Sequence, residues 1–173
     1  PPIFTRLLAE RLAAQCAIPV HEASAGEVLS PAHAWIAPGN FHVTVKRTAA
    51  GSRLELNQER PENSCRPSVD VLFRSVAEVY GAGALAVVMT GMGSDGVAGS
   101  ERIRQCGGEV IIQDESSSVV WGMPGLVYAS GQADGIYPLK QLGQEIANRV
   151  AHARALDTAS KAAASGAVEP GIR

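Results

Sequence analysis

The stretch that most constrains the fold lies between residues 84 and 115. ALAVVM is a continuous apolar run with no alternation, GMGSDG interrupts the chain with three glycines, GVAGSERIRQCGG has helical character and closes on Gly107 and Gly108, and EVIIQDE is a second strand-like run. A strand that does not alternate has both faces covered, as in a parallel sheet flanked by helices. Strand, helix and strand of these lengths form a β-α-β unit, whose crossover is expected to be right-handed. The unit points to an α/β domain.

The remaining segments fit around that unit. A chain of 173 residues suits one domain with a real core. Residues 3–16 place Phe4, Leu7, Leu8 and Leu12 at helical spacing. Pro1 and Pro2 suit the first turn of that helix, as if the chain began partway through a larger unit. PVHEA, AGE, HAWIAPGN, HVTVKR and SRLELNQ read as short strands, with Gly26, Gly39 and Gly51 at the turns. RPENSCRP is a loop. SVDVLFRSVAEVYG is a helix with Ser68 as N-cap and Gly81 as its stop. SSSVVWGMPGLVYASGQ predicts a short helix or two broken around Gly122 and Pro124, GIYP a short strand, and residues 139–156 a last helix. The domain is expected over 1–155. Residues 156–173 are rich in small side chains without an apolar face and are expected to be disordered.

Charge and composition exclude several functions. With 15 basic and 17 acidic residues the net charge is −2, which gives no electrostatic case for nucleic acid or an anionic membrane as partner. No apolar run approaches the ~20 residues that a membrane span needs, and the amphipathic, mixed-charge start is not a signal peptide. Cys16, Cys65 and Cys106 form no C-x-x-C pair. A reducing cytoplasm with mostly buried thiols is the expected setting. No metal site is assigned.

GMGSDG admits three readings. As G-x-G-x-x-G after a strand and before a helix it matches a dinucleotide loop, and Asp114, eighteen residues after Gly96, stands where a ribose-binding acid belongs. Against this, Asp95 sets a negative charge at the helix mouth where phosphate would bind. In the second reading Asp95 caps the helix that begins at Gly96. In the third, the loop after a strand C-terminus holds out a carboxylate that orients a histidine, while a nearby backbone N–H stabilises an oxyanion. That reading needs a serine and a histidine from elsewhere.

RPSVDVLF (66–73), VVMTGMGSDGVAG (87–99) and QDESSSVVWGMPG (113–125), in this order and spacing, resemble the catalytic domain of the bacterial chemotaxis protein-glutamate methylesterases. IAPGNFH (36–42) and the opening PPIFTRLLAERL fit the same family, so the resemblance runs to about Val150. It implies a doubly wound, mostly parallel α/β sheet with helices on both faces and a small antiparallel β element. It implies hydrolysis of glutamyl methyl esters, and deamidation of glutamines, on methyl-accepting chemoreceptors by a Ser-His-Asp triad without a cofactor. An upstream receiver domain in full-length members is a further implied partner. Carried onto this chain, the triad acid is Asp95, and the backbone N–H of Met92 contributes to the oxyanion hole. Gly91 and Gly93 line the same loop, and His42 matches a histidine typical of the family. The family's nucleophilic serine lies in an S-x-G-G setting and its histidine in an H-M pair directly before the segment that reads PPIFT here. Neither is present. The chain is therefore expected to lack the first strand-helix segment and to be inactive by itself, marginally stable or self-associating. The alternatives are a dinucleotide-binding module or a non-catalytic interaction fragment.

The other polar residues have plainer expectations. His42 follows a Pro-Gly-Asn turn and either lines the site or satisfies backbone groups. His21, His33 and His152 are expected near the surface. Asp70 favours the dipole of its helix. Asp114 and Glu115, at the same sheet edge as Asp95, either shape the site or cap the SSSVVWG helix, and the capping role is the expected one; Trp121 and Met123 either touch substrate or, as expected, pack their loop over the core. Serines 116–118 lack a glycine elbow and are not nucleophile candidates.

Overall fold

Strand β6 (Glu109–Gln113) is the most deeply buried element of the computed structural model, which describes residues 1–165. Val110, Ile111, Ile112 and Gln113 are each 0% exposed, so both faces of this strand are covered. β5 (Leu85–Val88) and β7 (Gly135–Tyr137) flank it in parallel, giving the order β5-β6-β7. Leu85 pairs with Glu109 and Ile111 with Gly135. The β-α-β unit is completed by α3 (Val97–Gln105). β5 alternates between half-buried Leu85 and Val87 and buried Ala86 and Val88, which corrects the expectation of two fully covered faces. Among the described residues it pairs only with β6, so it is an edge strand, and its outer face is less enclosed.

The N-terminal half supplies α1 (Pro2–Ala13), a parallel pair β1 (Val20–Glu22) and β2 (Ala34–Ile36), and the antiparallel hairpin β3 (His42–Thr48) and β4 (Gly51–Asn57). The expected AGE strand does not form, and the residue after it, Val28, makes a single bridge with Arg53. α2 (Val69–Tyr80) lies between the halves. Ala77 packs into the core built from Ala86, Val88, Ile103, Val110, Ile112 and Val127, while Leu72 and Val79 pack against Val43, Val45 and Leu54. Val76 touches both clusters. The α/β expectation therefore holds: parallel and antiparallel strand pairs flanked by helices.

The helices follow the sequence pattern with two exceptions. On α1 only Ala9 is buried, and Ile3, Phe4, Leu7 and Leu8 are exposed. After α4 (Met123–Ala129), α5 (Leu139–Ser165) runs past Leu156, so residues 156–165 are helical rather than disordered. An alanine-rich segment has high intrinsic helix propensity and extends a formed helix without needing an apolar face. The rest of the expected tail, residues 166–173, lies outside the described residues. No described helix is long and apolar enough to cross a membrane. The cysteine expectation is also corrected: Cys16 is exposed, and Cys65 and Cys106 are half-buried.

Candidate active site

The loops that follow β5 and β6 meet at one end of the parallel strands, the usual place for chemistry in open α/β sheets. Gln113, fully buried at the end of β6, joins them. Its Oε1 accepts from the Thr90 N–H at 3.0 Å, and its Nε2 donates to the Ser117 carbonyl at 2.7 Å. The Gly91 N–H donates to the Val120 carbonyl at 3.2 Å, and the Met123 N–H to the Gly91 carbonyl at 2.8 Å. Gly122 makes this approach possible, since a Cβ there would lie 2.6 Å from the Gly91 oxygen. A Cβ on Gly91 would strike the Met123 sulfur at 2.5 Å. Trp121 and Met123 pack against the core, as expected.

Beyond Gly91 the loop is free. Among the described residues the N–H groups of Met92, Gly93 and Ser94 have no acceptor. The Met92 side chain is 85% exposed. Gly93 has φ +94°, a left-handed conformation that glycine adopts without strain. An unpaired backbone donor on a rooted loop is what an oxyanion hole requires.

Asp95 is 5% exposed and accepts four hydrogen bonds. Its Oδ1 accepts from Ser68 Oγ at 2.7 Å, from Asn63 Nδ2 at 3.1 Å and from the Asp70 N–H at 3.1 Å. Its Oδ2 accepts from the Val69 N–H at 2.7 Å. Burial raises its pKa, but these bonds, the Ser68 hydroxyl first, outweigh it and hold the carboxyl below its ordinary value of 3.8. Asp95 is thus a buried, ionised carboxylate.

Its capping role differs from the expected one. Asp95 caps α2 rather than the helix that follows it. The N-cap position of α2 is Ser68, yet the Ser68 side chain makes no capping bond there and donates to Asp95. The N-terminus of α3 is capped in return by Asp70, whose Oδ1 accepts from the Gly96 N–H at 2.9 Å and the Gly99 N–H at 2.6 Å. The two carboxylates exchange helices.

This exchange removes the basis of the dinucleotide reading. Two amides at the mouth of α3 that would receive a phosphate already donate to Asp70. The SSSVVWG stretch is a turn rather than the expected helix, so Asp114 caps no helix and is occupied by that turn, accepting from Ser116 Oγ at 2.6 Å and the Ser117 N–H at 3.1 Å.

His42 is 1% exposed and lies behind Asp95. Its Nδ1 accepts from the Ser68 N–H at 3.2 Å, so its Nε2 carries the proton and donates to the Arg60 carbonyl at 3.2 Å. Both ring nitrogens are committed to backbone, so His42 supports Ser68 and is no free base. His21, His33 and His152 are exposed. Sequence reasoning missed Ser68, Asn63 and Gln113 as parts of the site. Gln113 carried a usable signal, an amide ending an otherwise apolar strand.

The loop over Asp95 is stapled from both sides. Glu62 pairs with Arg74 through two bonds, at 2.6 and 2.5 Å. Arg66 donates to the Gln58 and Glu59 carbonyls at 3.2 and 3.0 Å and to Asn40 Oδ1 at 2.6 Å. Burial, and then the charge of Asp95, push the Cys65 thiol up, so it is no thiolate nucleophile.

A sequence model of the family described as CheB methylesterase matches residues 1–146. The chain belongs to the CheB methylesterase family. It is 55% identical over 150 residues to a protein-glutamate methylesterase/protein-glutamine glutaminase of Trichodesmium erythraeum, covering 87% of this chain and 43% of that one. It is 50% identical over 154 residues to a protein of the same name from Nocardioides sp., covering 89% and 42%. The crystal structure of the Thermotoga maritima CheB methylesterase catalytic domain is similar with a TM-score of 0.82 at 37% identity, over 84% of this chain and 77% of that one. The chain spans roughly two-fifths of the length of the curated CheB relatives it matches.

Proposed function

We propose that this chain supplies the acid and one oxyanion donor to a protein-glutamate methylesterase and glutamine deamidase acting on methyl-accepting chemoreceptors. The nucleophilic serine and the histidine base come from outside the 173 residues. The observation that carries the reading is a buried, ionised Asp95 in the same loop as the unpaired Met92 N–H, at the strand ends of a CheB-family domain.

The serine attacks the glutamyl carbonyl while the histidine takes its proton. Asp95 holds the imidazole in the right tautomer and stabilises the imidazolium. The Met92 N–H donates to the oxyanion, a contribution typically worth about 3 kcal/mol. Methanol leaves from an ester, or ammonia from an amide, and water then releases the glutamate. A receiver domain in the longer protein is the proposed restraint on this step, and no cofactor takes part in it.

The test is methanol release from methylated receptor by the full-length protein and its Asp95→Asn variant. Turnover is expected to fall by about 10⁴, as an acid-to-amide change does in a serine protease triad. The 173-residue chain alone is expected to release none. Receptor binding by the full-length protein without methanol release would replace catalysis with a purely binding role.

A further inference from the structure

Asp70 is ionisable, 2% exposed and absent from the mechanism above. It is tied to Asp95 in three ways. Its N–H donates to Asp95 Oδ1 at 3.1 Å. Its Oδ1 accepts from the N–H of Gly96, the residue directly after Asp95. Its Oδ2 accepts at 2.8 Å from Asn63 Nδ2, the same nitrogen that donates to Asp95 Oδ1. Such closeness between α2 and α3 depends on Gly99. A Cβ there would lie 2.6 Å from Phe73 Cβ and 3.0 Å from Asp70 Cα.

These ties distribute the donors on Asp95 unequally. Oδ1 carries three and Oδ2 one. A carboxylate offers about four lone-pair sites over its two oxygens, so Oδ2 is the atom with capacity left. We propose that Asp70 and Asn63 form a positioning pair for Asp95, fixing the backbone beyond it and pinning Oδ1 so that Oδ2 is kept for the imidazole N–H of the triad. The inference rests on the reading of Asp95 as triad acid.

The two side chains lie side by side. Here each ends on the positive end of the other's helix, and the Asn63 amide bridges them. The other titratable or charged groups around the pair are Glu62 and Arg74, joined to each other, the Cys65 thiol in the overlying loop, and His42 on β3 behind Ser68. Asn63 has φ +51°, so Asn63→Gly removes the amide and leaves the backbone unstrained.

The test has two readouts. In the full-length protein, carbon-13 NMR titrates the Asp95 carboxyl without needing turnover. In the active full-length protein, kcat and KM are followed with pH for Asn63→Gly, Asp70→Asn and the double variant. Asn63→Gly is expected to raise the Asp95 midpoint and to move the acid limb of kcat upward with it. Each single variant is expected to lower kcat about tenfold at unchanged KM, the order expected for one hydrogen bond to a charged group. The double variant is expected to lose no more than the worse single one, because the pair acts as a unit. An unmoved Asp95 midpoint, or fully additive losses, overturns the pair. An Asp95→Asn protein with full turnover instead removes the triad role of Asp95 and leaves the NMR coupling standing.

Discussion

The loops after β5 and β6 each carry an aspartate, and they hold it in opposite ways. Asp95 is buried, and its donors come from Asn63, Ser68, Val69 and Asp70, which are 25 or more residues away in sequence. Asp114 is half-buried, and its donors are Ser116 and Ser117, its near neighbours. Both carboxyls lie below their ordinary value. For Asp114 the cause is first the Ser116 and Ser117 hydroxyls. For Asp95 a set of tertiary bonds outweighs the cost of burial. A depressed carboxyl is therefore no sign of function by itself. Any surface aspartate can close a turn on its own backbone, whereas only a completed fold builds the cradle around Asp95.

The largest expected effect comes from emptying that cradle. Asp95→Ala leaves Ser68 Oγ and the Val69 and Asp70 amides without an acceptor, and urea denaturation is expected to show a loss of about 3 kcal/mol. Gly99→Ala pushes α2 from α3 and is expected to cost about 2 kcal/mol by the same measurement. A pH series sharpens the contrast further. Because the folded pKa of Asp95 is depressed, its contribution to stability is full above the unfolded value near 3.8 and is lost as pH falls through the lower folded value. Asp95→Asn is expected to flatten the acid slope of stability in that window. Asp114→Asn is expected to shift the denaturation midpoint much less, because its donors are sequence neighbours that form the turn locally. A midpoint shift equal to that of Asp95→Ala would erase the distinction between the two loops.

The β-α-β unit, α2 with its stop at Gly81, and the position of Asp95 after an apolar strand were legible because each depends on neighbouring residues. Hydrophobic period, glycine punctuation and strand-end placement are local signals. The crossed caps were not legible. Ser68 is a good N-cap type directly before an apolar period, and nothing near it reveals that a carboxylate from the next loop takes the capping place. His42 stayed ambiguous for the same reason, since its partners Ser68 and Arg60 are 26 and 18 residues away. The end of α5 was misread because the last turns lack an apolar face, and intrinsic propensity alone carries the helix to Ser165.

The rooting of the β5–α3 loop on Gln113 sets up a sharp boundary in proton exchange. The Thr90 amide ends on a fully buried oxygen and the Gly91 amide on the Val120 carbonyl, while the next three amides have no acceptor among the described residues. Deuterium is therefore expected to enter slowly at Thr90 and Gly91 and quickly from Met92 onward, a step within a single peptide unit. A substrate oxygen arriving at Met92 displaces water and breaks no bond within the protein, so the donor is ready before the substrate arrives.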